Sequence, residues 1–413
     1  MFSKPKNVTV FLGAMVSMLY MLFYCYDYLL QTSFSILPHA FLAKYGITTV
    51  SFGFLSAAFF YGYTLFQIPL GYCLDRIGLK YTAIMCAACC FLGTALFYYS
   101  GSFAMLFVAR FLIGAGTACA CVMSVYAVST WLLPKHFPIG VGMVQVAGCL
   151  GSIFGQAIGS FMSERFGWDA TMHVVIYFAL VLFVIYWFIP KYPAYNKPKM
   201  SDMVRIKDLP RLLLNKQIIT IAALGFISWA PVSVLAASWM VRLLDHDMNW
   251  TQHHSANLLT SFWIGLAVAS LCIGKLSDKM KSRRKIVLIA FLIQGICGIV
   301  LACTTVMTPM LLISLLSLLG AAASVQTLSF VLTAESISKE VYGAAAALVN
   351  MVAAASGGVI NPIFGIIVAR THDYYTALWV FPGLSIIGIF LALFVLRDTY
   401  AEKYNFVMER APV

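Results

Sequence analysis

Two charged side chains, Asp27 and Arg110, lie inside long apolar stretches of the sequence. An ionisable group in a membrane-crossing helix is costly to bury, and such groups mark pathways for ions or substrates. At a rise of about 1.5 Å per residue, both residues lie within roughly 10 Å of the membrane midplane, on the same side. We predict that they form a proton-coupling pair, in which protonation of Asp27 releases Arg110. The alternatives are a permanent structural ion pair, or an Asp27 without a specific role in a wet cavity.

Other polar and aromatic side chains interrupt the apolar stretches and are candidates for lining a central cavity. Aromatic walls with a few polar groups suit the binding of a small solute. Each of these residues has an alternative role as a hydrogen-bonding contact between helices. The candidates are Tyr24, Gln31, Tyr61, Gln67, Gln145, Trp229, Gln294, Gln326, Asn350 and Asn361.

The elements that must position these residues follow from composition. Of the 413 residues, 62% are hydrophobic and only 10% are charged, whereas soluble domains carry about 25% charged residues. Twelve apolar runs, numbered here as spans 1 to 12, are close to or longer than the length of about 20 residues that a membrane-crossing helix needs. They lie at 9–37, 50–73, 81–100, 103–131, 138–162, 171–190, 217–244, 255–273, 286–305, 308–333, 341–369 and 374–396. We therefore predict an all-α membrane protein with twelve transmembrane helices.

The distribution of basic residues predicts the orientation of these spans. With the N-terminus on the cytoplasmic side, 22 Lys and Arg residues fall in inner segments and four in outer ones. Cytoplasmic loops carry such an excess of basic residues. This asymmetry explains the net charge of +12 without a nucleic-acid partner, and it places both termini in the cytoplasm.

Two similar segments follow spans 2 and 8, about 203 positions apart, and indicate an internal repeat of six helices. The first runs from Gly71 to Lys80, and the second from Gly274 to Lys279 with Arg283 and Arg284 after it. Glycine permits close helix approach, and an acid with a base at a helix end can form an ion pair between bundles. The predicted conformational latch consists of Gly71, Asp75, Arg76, Gly78, Lys80, Asp278 and Lys279.

The first of these segments resembles the signature loop of the major facilitator superfamily, Gly-x-x-x-Asp-Arg-x-Gly with a following cation. Arg110–Gly116 is similar to the span 4 motif of that family, and Phe166–Trp168 to another, with Asp169 in place of arginine. The resemblance covers the whole chain. It implies two pseudo-symmetric six-helix bundles, at 1–190 and 217–413, joined by a cytoplasmic linker at 191–216, and transport by alternating access. It also supports the coupling role of the span 1 acid and the span 4 arginine.

Three stretches are similar to the metabolite and organic-anion uptake branch of this family: Phe54–Tyr63, Phe66–Pro69 and Trp131–Pro134. Span 5 has Gly155-Gln156 where drug/proton antiporters of the family have Gly-Pro, which favours uptake over export. We expect proton-coupled symport of a small polar metabolite such as an amino acid or a carboxylate. The alternative is a proton-driven exporter of drugs or a siderophore.

A membrane-embedded enzyme or receptor is a third class, but no His-Glu-x-x-His or comparable catalytic motif occurs in the sequence. The eleven cysteines lie in or at the edge of apolar runs without the spacing of a metal site, and we interpret them as packing residues. We therefore expect no enzymatic activity, catalytic residue, metal or cofactor. The expected partners are the substrate, protons and the lipid bilayer, and we expect a monomer in a bacterial inner membrane.

Overall fold

The computed structural model describes residues 7–132, 136–189, 209–248, 250–305 and 308–400, and within these ranges every regular element is a helix. Twelve helices are long and apolar enough to cross a membrane. The prediction of an all-α protein with twelve transmembrane helices is confirmed. Spans 1 to 12 are Phe11–Ile36, Thr49–Ile77, Leu79–Tyr98, Phe103–Trp131, Ile139–Phe166, Trp168–Phe188, Lys216–Met248, Gln252–Lys279, Arg283–Cys303, Pro309–Ser336, Val341–Thr371 and Tyr374–Phe394. Two short helices, His39–Lys44 and Leu209–Leu213, lie outside them.

Several spans begin at a polar residue whose side chain caps the helix. Ser102, Thr251, Ser282 and Thr308 each accept a hydrogen bond from a backbone N–H three residues further on. A hydroxyl at this position satisfies one of the backbone donors that a helix start leaves unpaired. These caps fix the points at which spans 4, 8, 9 and 10 begin.

Six spans are not continuous α-helices. Span 1 ends in a 3₁₀ turn at Ser33–Ile36. Span 4 consists of Phe103–Thr117 and Ala120–Trp131, span 10 of Pro309–Ala323 and Gln326–Ser336, and span 12 of Tyr374–Leu378 and Val380–Phe394. Wider π-helical turns occur at Phe154–Ile158 in span 5 and at Pro231–Trp239 in span 7. The π-helical part of span 7 starts at a proline, which has no N–H to donate to the preceding turn.

The contacts divide the chain into two units. Unit 1 comprises Met1–Ile47 and Ala58–Met203. Span 1 packs against spans 4 and 5, and span 3 packs against spans 4 and 6. A methyl group added at Gly114 would overlap the carbonyl of Phe59, so this glycine allows spans 2 and 4 to cross in contact.

Unit 2 comprises Thr48–Ala57 and Val204–Val413. Its apolar core includes Ile221 of span 7, Phe291 of span 9, Leu328 of span 10 and Ala345 of span 11. Residues Thr48–Ala57 contain the start of span 2, and the remainder of that helix belongs to unit 1.

The predicted bundle boundaries at 190 and 217 stay a prediction. Residue 190 of the first predicted bundle, residues 191–208 of the predicted linker and residues 401–413 lie outside the described residues. The remaining part of the linker forms the short helix Leu209–Leu213, and Asn215 then caps the start of span 7.

Candidate functional site

Asp27 is buried in unit 1, on span 1, with 1% of its surface exposed. Neither of its carboxylate oxygens has a hydrogen-bond partner among the described residues. The carboxylate lies close to Thr117 and Cys121 of span 4 and to Cys90 of span 3. The Thr117 hydroxyl donates to the carbonyl of Gly114, at 3.3 Å. The structure therefore places an unpaired carboxyl group in the interior of the unit.

Arg110 is also buried in unit 1, with 3% of its surface exposed. Its Nη1 donates to the carbonyl of Leu30 at 3.1 Å, and its guanidinium carbon lies 4.4 Å from the ring centre of Phe34 and 5.0 Å from that of Phe59. No hydrogen bond joins Asp27 to Arg110 in the part of the chain that the structure describes. Both residues belong to unit 1. Their role as a proton-coupling pair stays a prediction.

A small cavity of about 30 Å³ lies beside Arg110. It is lined by residues of spans 1, 3, 4 and 6, including Phe34, Thr94, Trp168 and Met172. A cavity of this size has room for about two water molecules. Water next to the guanidinium would reduce the cost of burying its charge.

The other candidate residues of unit 1 differ in their environment. Gln31 and Gln67 are buried, and Gln31 Nε2 and both amide atoms of Gln67 lack partners among the described residues. The Tyr24 hydroxyl donates to that of Tyr28 at 3.2 Å. Tyr61 and Gln145 are partly exposed. The buried glutamines are therefore the candidates of this unit whose amide groups are left for another partner.

In unit 2, Ser228 of span 7 brings two predicted cavity residues together. Its hydroxyl donates to Gln326 Oε1 at 3.1 Å, and its carbonyl accepts from Gln294 Nε2 at 3.2 Å. The second polar atom of each amide, Gln294 Oε1 and Gln326 Nε2, is buried without a described partner. One acceptor and one donor are thus unpaired around the same serine.

Asn361 is instead fully engaged within unit 2. Its Oδ1 accepts from Trp239 Nε1 at 2.9 Å, and its Nδ2 donates to the carbonyl groups of Gly357 and Ser233. These bonds tie span 11 to the π-helical part of span 7, which corresponds to the alternative role as a contact between helices. Trp229 and Asn350 are partly exposed.

The first predicted latch segment lies at the junction of spans 2 and 3. Gly78 has a φ of 83°, a conformation that favours glycine, and it connects the two helices. Lys80 Nζ donates to the carbonyl of Trp187 at 2.7 Å, and Arg76 lies over the ring of Tyr72. Asp75 lies close enough to Tyr126 of span 4 to interact with it electrostatically. A methyl group at Gly71 would meet no described atom within 4 Å.

The second segment is organised by Arg283, which the predicted latch did not include. Its Nη1 donates to Asp278 at 2.7 Å and to Ser277 at 2.8 Å, and its Nη2 donates to Glu335 at 2.8 Å. Lys279 is exposed. The sequence indicated Arg283 only as one of two cations, with Arg284, that follow Asp278. It could not indicate the acidic partner Glu335, which lies in span 10, 52 positions away.

Asp398 extends this network beyond span 12. It accepts hydrogen bonds from the hydroxyl of Ser282 and, at 3.1 Å, from the backbone N–H of Arg283. Partial burial acts to raise the pKa of Asp398, but these bonds and those from the backbone of Tyr400 and Arg284 outweigh it and hold the pKa below its ordinary value. The role of both segments as a latch stays a prediction.

Among the described residues, no group of three or more His, Cys, Asp or Glu side chains is placed to hold a metal ion. All eleven cysteines are free thiols. The sites just described are therefore composed of amide, hydroxyl and charged groups.

The chain matches the family model of the Major Facilitator Superfamily over residues 10–244 and 221–412. Two curated bacterial relatives match most of its length. A putative metabolite transport protein, NicT of Pseudomonas putida, is 24% identical over 375 residues, which are 84% of each chain. A probable galactarate/D-glucarate transporter, GudP of Bacillus subtilis, is 22% identical over 398 residues, 85% of this chain and 84% of that protein.

The fold is similar to that of a solved bacterial homologue of the human lysosomal transporter Spinster, in an inward-facing and unoccupied conformation. The TM-score is 0.69 at 13% sequence identity, with all of both chains covered. The match supports the major facilitator fold, and the names of the two relatives agree with the metabolite and organic-anion branch predicted from the sequence. The chain is an integral membrane protein that belongs to the Major Facilitator Superfamily.

Proposed function

We propose that this protein is a secondary transporter that takes up a small anionic metabolite, preferably a carboxylate, together with protons. The observation that carries the proposal is the buried, unpaired carboxyl group of Asp27 in the same unit as the buried Arg110. A carboxylate buried without a donor or a cation is costly, so this arrangement favours the uncharged acid. Loss of the proton then requires a new partner for Asp27, and that requirement links proton transfer to a change of conformation.

The substrate class is supported by two further observations. The relative GudP is named for the transport of galactarate and D-glucarate, which are dicarboxylates. Buried glutamines in both units, Gln31 and Gln67 in one and Gln294 and Gln326 in the other, retain unpaired amide atoms. Amide donors and acceptors suit the hydroxyl and carboxylate groups of a small polar solute. An amino acid is the second substrate within the same class of small polar metabolites.

The remaining features of the proposal concern the working cycle and the location. We propose alternating access, with the segments around Asp75 and Arg283 as latches on the cytoplasmic side.

The excess of basic residues supports cytoplasmic termini, and we propose a monomer in a bacterial inner membrane. Single cysteines introduced at Lys281, between spans 8 and 9, or at Arg370, near the end of span 11, and labelled in intact cells test the orientation. Only the cysteine at position 370 is expected to react with an impermeant reagent.

A ligand screen followed by a flux measurement tests the proposed function. Purified protein is heated with D-glucarate, sulfoacetate, L-glutamate, glucose or ethidium, and compounds that raise the melting temperature are tested for uptake into proteoliposomes. We expect stabilisation by carboxylates. With an external pH one unit lower, uptake coupled to one proton gives about tenfold accumulation. Stabilisation by ethidium alone, with proton-driven efflux, would contradict uptake and support the exporter.

A further inference from the structure

Arg242 lies in span 7, six residues before the end of that span at Met248. Its guanidinium carbon lies 4.1 Å from the ring centre of Phe52, at the start of span 2, and both residues belong to unit 2. Two of its nitrogen atoms, Nε and Nη2, are buried and have no hydrogen-bond acceptor among the described residues. A charged group is thus held against an aromatic ring with part of its hydrogen-bonding capacity unused.

The two unpaired nitrogen atoms lie on the same edge of the guanidinium group. The N–H of Nε and one N–H of Nη2 point in parallel directions, which matches the two oxygen atoms of a carboxylate. A carboxylate on this edge would form two charge-assisted hydrogen bonds. The geometry of the unpaired donors therefore specifies a planar oxyanion as the partner.

The surroundings of Arg242 are aromatic and only partly balanced in charge. Tyr374 of span 12 and Asp245 lie close enough to interact with it electrostatically. Asp245 offsets part of the positive charge, but it does not accept a hydrogen bond from the Nε–Nη2 edge. Trp239 packs edge-on against Phe52, with ring centres 4.9 Å apart.

The burial of the two nitrogen atoms identifies the source of the oxyanion. Arg242 is partly exposed as a residue, but its Nε and Nη2 atoms are buried, and so is the Phe52 ring against the guanidinium, with 1% of its surface exposed. A lipid headgroup therefore does not reach this edge. Arg370 is near the end of span 11 on the same predicted side, and it is exposed. Arg370 therefore suits an anionic lipid or solvent, whereas Arg242 suits a solute that enters the protein.

We propose that the Nε–Nη2 edge of Arg242 is a binding contact for a carboxylate group of the transported solute, with the ring of Phe52 against the guanidinium in this structure. The inference rests on the proposed function, because it takes the solute to be a carboxylate. Solute reaches the guanidinium when the start of span 2 moves away from span 7. The contact is distinct from the buried residues Asp27 and Arg110, which belong to unit 1.

A labelling experiment tests the contact without any need for transport. The variant Phe52→Cys is treated in proteoliposomes with an anionic sulfonatoethyl or a cationic trimethylammonioethyl methanethiosulfonate, and the reaction of the native chain is subtracted. We expect the ratio of anionic to cationic rates to fall about tenfold when Arg242→Gln is added. Adding Arg370→Gln instead, the matched loss of a charge on the same side, should leave the ratio unchanged.

Protection by a dicarboxylate, malonate, distinguishes a forked contact from a simple positive charge. Malonate should slow the anionic labelling when Arg242 is intact, and Arg242→Lys should keep the rate ratio but lose the protection. Equal protection in Phe52→Cys with and without Arg242→Gln would overturn the proposal, as would protection that follows the anionic lipid content. If the introduced thiol does not react, the melting temperature with and without malonate replaces the labelling assay. Malonate should then raise the melting temperature of the native chain and of Arg370→Gln but not that of Arg242→Gln. Any other result overturns the proposal. If these experiments establish the contact but the flux measurement finds no transport of a carboxylate, only the proposed function is contradicted.

Discussion

The Arg283 guanidinium donates a 2.8 Å hydrogen bond to the carboxylate of Glu335 and thereby joins the first turn of span 9 to the last turns of span 10. Both side chains are buried, with 3% and 7% exposed. Asp278 contacts the same guanidinium at 2.7 Å but is 44% exposed. The buried half of this network is therefore the Arg283–Glu335 pair.

Removal of Arg283 should destabilise the protein strongly. Breaking a buried ion pair leaves the other charge uncompensated, at a cost of about 3–5 kcal/mol. We expect Arg283→Ala to lower the free energy of unfolding by this amount, measured by chemical denaturation in detergent. Lys279→Ala, the loss of an exposed cation four positions earlier, is the control and should have almost no effect. Equal stability of the two variants would show that the network does not hold the spans together.

The contribution of Asp398 should depend on pH. Because the pKa of folded Asp398 lies below its ordinary value of 3.8, the ionised form stabilises the folded state above that value and the contribution disappears as the pH falls through the folded pKa. We expect Asp398→Asn to melt at a lower temperature than the native chain at pH 7. The difference should shrink as the pH is lowered below about 4. A difference that does not change with pH would mean that the charge of Asp398 contributes nothing.

Gly71, inside span 2, and Gly78, between spans 2 and 3, are two glycines of the first latch segment in different backbone environments. The φ of 83° at Gly78 is unfavourable for any residue with a Cβ atom, so Gly78→Ala should cost roughly 1–2 kcal/mol. At Gly71, which is helical, an added methyl group meets no described atom within 4 Å. Gly71→Ala should therefore leave the free energy of unfolding unchanged or raise it by up to about 1 kcal/mol, because alanine is the better helix former. If Gly71→Ala slows transport without lowering stability, the latch requires a close approach at Gly71 in another conformation. A greater loss of stability at Gly71 than at Gly78 would contradict this description of the segment.

Replacement of Arg110 should slow transport even when the new side chain keeps the positive charge. Arg110→Lys keeps the positive charge but loses the forked donor that contacts Leu30 and the stacking on Phe34 and Phe59. We expect the initial uptake rate per folded protein to fall about tenfold or more, which corresponds to about 1.4 kcal/mol. Arg165→Lys, at the end of span 5, should transport normally. Normal transport by Arg110→Ala would reduce Arg110 to a structural role.

The number and the approximate ends of the spans were predictable because hydropathy and the positions of charges determine which segments can lie in lipid. The caps at Ser102, Thr251 and Ser282 sit close to the predicted starts for the same reason. The burial of Asp27 and Arg110 was predictable from their places within apolar runs. In this structure their side chains are not joined by a hydrogen bond, because Arg110 is directed to the carbonyl of Leu30.

Partnerships between distant helices could not be predicted from one sequence. The pairing of Arg283 with Glu335, and of Trp239 with Asn361 across 122 positions, depends on how each helix is rotated about its axis. A single sequence does not determine that rotation. Lys279 follows Asp278 directly, as Arg76 follows Asp75 in the first segment, yet Lys279 is exposed and Arg283 occupies the buried position.

The central claim is that Asp27 carries the coupling proton, and Asp27→Asn tests it most directly. Proteoliposomes that contain the variant are compared with the native chain in two assays: exchange of labelled substrate without a gradient, and accumulation driven by an acidic exterior. We expect Asp27→Asn to retain exchange but to lose proton-driven accumulation, since asparagine cannot release a proton. Asp169→Asn, at the start of span 6, should accumulate substrate like the native chain. Full proton-driven accumulation by Asp27→Asn would contradict the account.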